Sequence, residues 1–202
     1  MLLVNKIVSS IMEMAIICFI PFIWWIITSK KEVKFFNWIG LRKIENNSLK
    51  KSIVGIIVVS IIYVIISILT LMLVKDIETA TSEFTGLGVK GIFAALVYAI
   101  FNTSLPEEIF FRGFILKRLQ SKFGYNIANI IQSILFGLLH GVMFFSNVGV
   151  IKALIVILFT GTVAYVMGYI NEKKAGGSIL PSWIIHATSN IFASFIALFS
   201  II

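Results

Sequence analysis

The stretch best suited to chemistry is residues 105–114, Leu-Pro-Glu-Glu-Ile-Phe-Phe-Arg-Gly-Phe, which places two carboxylates and an arginine in an apolar region. A charge at membrane depth costs at least about 2.5–3.5 kcal/mol, so such groups mark candidate functional sites. In a helix, Glu108 and Arg112 stand at i and i+4 and can pair, whereas Glu107 lies about 100° round the helix. Glu107 is therefore the carboxylate predicted to be free for chemistry.

Both histidines of the chain, His140 and His186, also lie in apolar stretches, and Asn190 follows His186 at i+4 on the same helical face. At about 1.5 Å per residue, Glu107 lies about 22 Å, His140 about 21 Å and His186 about 12 Å from the predicted cytoplasmic ends of their helices. These depths are compatible. We therefore expect three helices to present one set of side chains to a buried polar cavity: Glu107, Glu108, His140, His186 and Asn190.

This set contains the parts for hydrolysis. A carboxylate can act as general base on water, a histidine can assist proton transfer, and a histidine with an amide can donate hydrogen bonds to an oxyanion. A carboxylate and two histidines can alternatively hold zinc, although the helical His-x-x-x-His signature is missing from the sequence. Taken singly, the same residues also suit structural roles. A histidine in a membrane helix often forms a hydrogen bond to a neighbouring helix, and Glu108 with Arg112 can form an ion pair that orients the site.

Composition determines the fold class. Of 202 residues, 59% are hydrophobic and 13% are charged, and a membrane-spanning helix needs about 20 apolar residues. We predict an all-α, polytopic membrane bundle of about six transmembrane helices, with residues 1–202 as a single membrane domain. The net charge of +8 reflects basic joints between spans rather than a nucleic-acid partner. The single cysteine, Cys18, excludes an intrachain disulfide.

The predicted spans are residues 7–28, 52–74, 91–122, 126–145, 149–169 and 178–199. Pro106 is expected to kink the third span or to start a new helix. Residues 35–39, with two phenylalanines and a tryptophan, are expected to lie along the membrane interface. Glu13 lies in the first span and has no assigned role.

Lysine and arginine distribute unevenly over the predicted joints. Thirteen fall in the joints assigned to the cytoplasm and four elsewhere, the latter being Lys6, Lys75, Lys90 and Lys152. The positive-inside rule then predicts both termini outside the cytoplasm.

Three ordered motifs carry a resemblance: Glu107-Glu108-x-x-x-Arg112, Phe136-x-x-x-His140 and His186-x-x-x-Asn190. Over residues 93–200 the chain resembles the CAAX proteases and bacteriocin-processing enzymes, also called the Abi or CAAX prenyl endopeptidase type II-like family. The resemblance implies an intramembrane endopeptidase in which Glu107 and His140 activate water.

In that family His186 and Asn190 would stabilise the oxyanion, and Glu108 and Arg112 would support the site. The family was formerly classed as metalloproteases. We favour a glutamate mechanism without a metal or other cofactor, because Asn is a poor zinc ligand and a good oxyanion donor. If zinc were bound, its ligands would be Glu107, His140 and His186.

The expected partners are the lipid bilayer and a membrane-embedded or lipid-associated peptide substrate. The resemblance and the short chain imply a bacterial, multi-pass cell-membrane protein that matures peptide signals or confers bacteriocin self-immunity. The alternatives are an immunity protein that binds without cleaving, and a proton-coupled carrier, against which the lack of internal repeats argues. The sequence specifies no oligomeric state.

Overall fold

A computed structural model describes residues 1–73 and 77–202 of the chain, and within these ranges all regular structure is helical. The helices are α1 (Leu2–Thr28), α2 (Phe35–Trp38), α3 (Asn46–Leu73), α4 (Gly88–Phe123), α5 (Tyr125–Tyr169) and α6 (Leu180–Leu198). The all-α prediction is confirmed. The predicted end of the second span at Val74, and Lys75 and Asp76 of the next joint, lie outside the described residues.

Four helices of the described chain, α1, α3, α4 and α5, are long and apolar enough to cross a membrane. α3 is rich in isoleucine and valine, which favour strands in water. In lipid, however, a spanning segment must satisfy its own backbone groups, and an α-helix does so within itself. Most side chains of α1 and α3 face outward, as expected of lipid-facing helices.

α5 consists of two arms that meet at Gly149, where φ is 76° and ψ is 174°. Glycine adopts this backbone conformation without the steric cost that a Cβ brings. The arms then run antiparallel: Asn129 Nδ2 donates to Tyr165 O at 3.0 Å and Gln132 Nε2 to Ala164 O at 3.1 Å. The arms correspond to the predicted spans 126–145 and 149–169.

Small residues allow the two arms of α5 to approach closely. A Cβ on Gly137 would lie 2.6 Å from Ile157 O, and one on Gly161 would lie 3.2 Å from Ser133 O. Such close contacts are typical of helix packing in membranes. The pairing fixes the first arm, which carries His140.

α6, the predicted sixth span, is not among the four apolar helices, so the predicted count of six is not confirmed. The helix has 19 residues and a marked polar content. Its polar side chains are Ser182, His186, Thr188, Ser189, Asn190 and Ser194. α6 nevertheless packs extensively on α3 and on the middle of α4.

α4 does not end at Pro106 but continues through it. Residues on both sides of this proline, Tyr98–Ser104 and Ile109–Leu116, form π-helix, whose wider turns separate short α-helical stretches. π-Helical turns inside α-helices are frequent at functional sites. Of the two outcomes expected at Pro106, a kink and a new helix, the second holds only locally: a short α-helical stretch, Leu105–Glu108, has Pro106 in its first turn. The carboxylates therefore lie between two stretches of altered helix geometry.

The basic joints meet at one end of the molecule. Lys117 Nζ lies 2.7 Å from Glu172 Oε1 and donates to Gly177 O at 2.8 Å, and Ser178 Oγ donates to Arg42 O at 2.6 Å. At the other end, Lys6 pairs with Glu83. The joints predicted to be cytoplasmic therefore contact one another, at the end of the bundle opposite the Lys6–Glu83 pair.

The aromatic segment 35–39 is partly buried against the helices. Trp38 is 6% exposed and Ile39 is fully buried, and both pack with Ile109 and Ile179. One side of the segment therefore packs on the helices, whereas Phe36 is 60% exposed, and its place along the membrane interface stays a prediction.

Candidate active site

The two adjacent carboxylates of α4 point in different directions. Glu108 is fully buried and faces α6, whereas the Glu107 side chain is 19% exposed and faces the first arm of α5. This divergence follows from the rotation of about 100° between successive helical residues. One carboxylate is thus anchored, and the other faces an open space.

Glu108 forms the anchor of the site. Its Oε1 atom lies 3.0 Å from Arg112 Nη1 and 3.0 Å from His186 Nδ1. The predicted pairing of Glu108 with Arg112 is present. The additional contact means that Glu108 also orients the His186 ring, since a histidine whose Nδ1 donates to a carboxylate presents Nε2 in a fixed direction.

Arg112 is fully buried, and the Phe136 ring covers it, with the guanidinium carbon 4.2 Å from the ring centroid. Stacking on an aromatic face is a favourable setting for a guanidinium. Phe136 also lies edge-on to the His186 ring, at 5.9 Å between centroids. Phe136 therefore contacts two site residues, a role that the sequence did not indicate beyond its place in the Phe-x-x-x-His motif.

His140 and His186 approach Glu107 from different helices. Glu107 Oε2 lies 4.0 Å from Nε2 of His140 and 4.0 Å from Nε2 of His186. That oxygen is buried and has no hydrogen-bond partner among the described residues. The structure thus brings the free carboxylate close to both histidines.

The tautomer of His140 follows from its surroundings. Its Nδ1 lies 2.9 Å from Phe136 O, one turn earlier in the same helix, and a carbonyl only accepts hydrogen bonds. Nδ1 therefore carries the proton, and Nε2 presents a lone pair towards Glu107. His140 can accept a hydrogen bond in the site.

Asn190 lies on the α6 face that carries His186, as predicted, but its amide group has partners. Nδ2 donates to Thr103 Oγ1 at 2.7 Å and to Ser104 Oγ at 3.1 Å. These two hydroxyls belong to α4, just before the carboxylates. Sequence analysis missed Thr103, although its spacing of four residues from Glu107 places both on one face of α4.

A cavity of about 200 Å³ adjoins these groups. Glu107, His140, His186, Thr103 and Asn190 line it. The remainder of its lining is mixed and includes Tyr63, Ile66, Met143 and Phe144. The cavity also reaches Thr79 and Thr81, at the end of the bundle opposite the basic joints. The site residues therefore face a space with both polar and apolar walls.

Glu13, which had no assigned role, contacts the same part of α4. Asn102 Nδ2 donates to Glu13 Oε2, and Asn102 Oδ1 accepts from Ser9 Oγ at 2.8 Å. These bonds tie α1 to α4 one residue before Thr103. Glu13 thus has a packing role between helices.

The zinc alternative stays a prediction, and its three ligand side chains stand farther apart here than in a tetrahedral zinc site. Two ligand atoms of a tetrahedral zinc, each about 2.0–2.1 Å from the metal, lie about 3.3 Å apart. Both Nε2 to Oε2 separations among Glu107, His140 and His186 are 4.0 Å. No cluster of three histidine, cysteine or acidic residues within ranges 1–73 and 77–202 has a geometry suited to a metal ion.

Comparison with known proteins gives one match. No curated protein and no solved structure matches the chain. A family model described as type II CAAX prenyl endopeptidase Rce1-like matches residues 89–192. This match spans just over half of the chain and contains the carboxylates of α4, the two histidines and Asn190. The chain therefore belongs to the Rce1-like family of type II CAAX prenyl endopeptidases, which makes it a membrane protein with protease activity of the CAAX type.

Proposed function

We propose that this protein is an intramembrane endopeptidase that hydrolyses a membrane-associated peptide with water activated by Glu107, without a metal. One observation carries the proposal: Glu107 Oε2 is buried, has no hydrogen-bond partner among the described residues and lies 4.0 Å from Nε2 of each histidine. A buried, unpaired carboxylate oxygen costs free energy, and such cost is typical of a functional site. A reacting water that donates a hydrogen bond to this oxygen would remove that free-energy cost.

Glu107 and His140 are suited to hold that water between them. A water oxygen about 2.8 Å from both Glu107 Oε2 and His140 Nε2 subtends about 90°, close to the angle between its two protons. Glu107 removes one proton as the oxygen attacks the carbonyl carbon. When the C–N bond breaks, the same proton passes to the leaving amine, so the products are a carboxylic acid and an amine. The acid then loses the second proton of the original water and becomes a carboxylate.

His186 is proposed to stabilise the oxyanion as an imidazolium. Glu107 and Glu108 contribute two negative charges, which Arg112 and a protonated His186 would balance to zero. Charged groups at membrane depth pair with one another in this way. With Nδ1 bonded to Glu108 at 3.0 Å, a protonated His186 has its Nε2–H available for the oxyanion.

The proposed setting is a bacterial cell membrane crossed six times. The arm of α5 over residues 125–148 is about 36 Å long, and α6, with 19 residues, is about 28 Å long. Both lengths suit an apolar core of about 30 Å. Four of the six polar side chains of α6 are buried, which supports a span whose polar face is shielded from lipid. They are Ser182, His186, Ser189 and Ser194.

The decisive experiment compares membranes that contain the native protein with membranes that contain Glu107→Gln at equal expression. We expect released peptides, detected by mass spectrometry, to include a fragment present only with the native protein. Loss of the general base should lower the rate by about 10²–10⁴-fold. A farnesylated CAAX peptide serves as a defined second substrate, and cleavage should continue in EDTA.

Glu32→Gln is the matched control, because Glu32 is an exposed carboxylate remote from the cavity. It should cleave like the native protein. If Glu107→Gln also cleaves at the native rate, the proposed mechanism is wrong. If neither protein releases a fragment while both protect cells from a bacteriocin, the protein acts by binding, as an immunity protein of the non-cleaving kind would.

A further inference from the structure

The amide of Asn190 is occupied in a way that changes the assignment of oxyanion donors. An asparagine Nδ2 carries two protons. Thr103 Oγ1 accepts from Nδ2 at 2.7 Å and Ser104 Oγ accepts from it at 3.1 Å. Both amide protons are therefore directed at α4. An oxyanion in the cavity would have to replace one of these bonds to receive a proton from Asn190.

The two hydroxyls that accept from Asn190 differ in what their own protons do. Ser104 is fully buried, and its Oγ donates to Ala99 O at 2.6 Å. Thr103 is half-buried and lines the cavity, and its hydroxyl proton has no acceptor among the described residues. Since Thr103 Oγ1 already accepts from Asn190, the O–H bond is oriented away from Asn190. Thr103 thus has the free donor that Ser104 lacks.

The position of Thr103 suits the reaction. It stands four residues before Glu107 on α4, about one turn away, and both side chains line the cavity. A scissile carbonyl placed between them would have its carbon near the water held by Glu107 and its oxygen near Thr103. His186 approaches the same space from α6, with Nε2 4.0 Å from Glu107 Oε2.

We propose that the Thr103 hydroxyl donates a hydrogen bond to the oxyanion of the tetrahedral intermediate, and that Asn190 is the positioning residue that orients this hydroxyl. The inference rests on the proposed function and extends it. Thr103 donates without transferring its proton, so the proton balance of the hydrolysis is unchanged. Asn190 acts through Thr103 and Ser104.

Thr103→Val removes the donor at nearly constant volume. We expect kcat on the farnesylated CAAX peptide to fall by about 10²–10³-fold, as for removal of one oxyanion donor, with KM changed less than threefold. Thr103→Ser retains a hydroxyl and should keep kcat within about tenfold of the native value. A loss in Thr103→Ser equal to that in Thr103→Val would overturn the proposal, because the hydroxyl would then be irrelevant.

A double-mutant cycle with Thr103→Val tests the role of Asn190. Asn190→Ala should lower kcat in the native background but have little further effect in Thr103→Val, because the hydroxyl that it orients is missing there. Residues that act as a unit show such non-additivity. Independent, multiplying losses would mean that Asn190 contacts the substrate itself, which contradicts the assignment.

Thr188→Val is the matched control. Thr188 lies on α6 between His186 and Asn190 in sequence, but its Oγ1 donates to Ile184 O at 2.8 Å and it does not line the cavity. The kcat of Thr188→Val should match that of the native protein. Thermal denaturation in detergent shows whether each variant is folded. If Glu107→Gln is inactive while folded Thr103→Val retains full kcat, the proposed function stands and this inference fails.

Discussion

At the residue scale, the site separates into an anchored and a reactive half. Glu108, Arg112 and the Phe136 ring form the anchored half, in which the charges are paired and fully buried. Glu107 belongs to the reactive half, where its Oε2 has only the two histidine nitrogens nearby, each at 4.0 Å. A buried pair costs free energy to desolvate, so its value here is orientation of His186.

Removing one member of the buried pair should be more damaging to stability than removing both. In Glu108→Gln, the buried guanidinium loses its counter-ion, and we expect the free energy of unfolding to fall by about 3–5 kcal/mol. In Glu108→Gln combined with Arg112→Met, most of that loss should be recovered. Unfolding in SDS–detergent mixtures measures the free energy of unfolding of the single and the double variant.

Activity should not recover with stability in the double variant, because His186 has lost the carboxylate that orients it. A double variant as unstable as Glu108→Gln alone would show that Arg112 contributes through its packing on Phe136 rather than through its charge.

At the element scale, the separation between helices determines whether the site forms. The two arms of α5 approach so closely at Gly137 that a Cβ there would lie 2.6 Å from Ile157 O. Gly137 is one turn from His140 and next to Phe136. The packing of the two arms of α5 therefore determines the positions of Phe136 and His140 in the site.

Gly137→Ala should separate the arms of α5 and displace His140. We expect a loss of about 1–3 kcal/mol from overpacking, together with a fall in kcat. Gly55→Ala is the control, because a Cβ on Gly55 of α3 would meet Ile170 Cδ1 at an ordinary 3.4 Å. Both changes favour helix equally, so equal stabilities, measured by thermal denaturation, would contradict the packing argument.

At the scale of the whole molecule, the charges of the two ends give the bundle an orientation. Lys117, Arg42 and Glu172 meet at one end, where the basic joints are clamped together. The cavity reaches Thr79 and Thr81 at the other end. The positive-inside rule predicts that the basic end lies in the cytoplasm.

This orientation is testable with single cysteines in a Cys18→Ser background. Exposed Glu78, replaced by cysteine, should react with a membrane-impermeant maleimide in intact cells. Exposed Lys43, replaced by cysteine, should react only after the cells are permeabilised. The reverse pattern would place the basic end outside and contradict the predicted topology.

The sequence by itself determined the helical class, the membrane setting and the identity of the polar set, because apolar runs and isolated charges are local properties of a chain. Helical spacing also sufficed to pair Glu108 with Arg112 and to leave Glu107 free. Each of those predictions depends on the residues of a single helix.

Only the tertiary structure decided what depends on contacts between elements. It carried α4 through Pro106 with π-helix on either side of the proline, buried Trp38 and Ile39 in the bundle, and directed Asn190 at Thr103 and Ser104. The last two outcomes reflect partners distant in sequence, because Trp38 and Ile39 pack with Ile109 and Ile179, and the Asn190 amide bonds to hydroxyls of α4. The spacing of residues along one helix does not identify the residues that they contact on another helix.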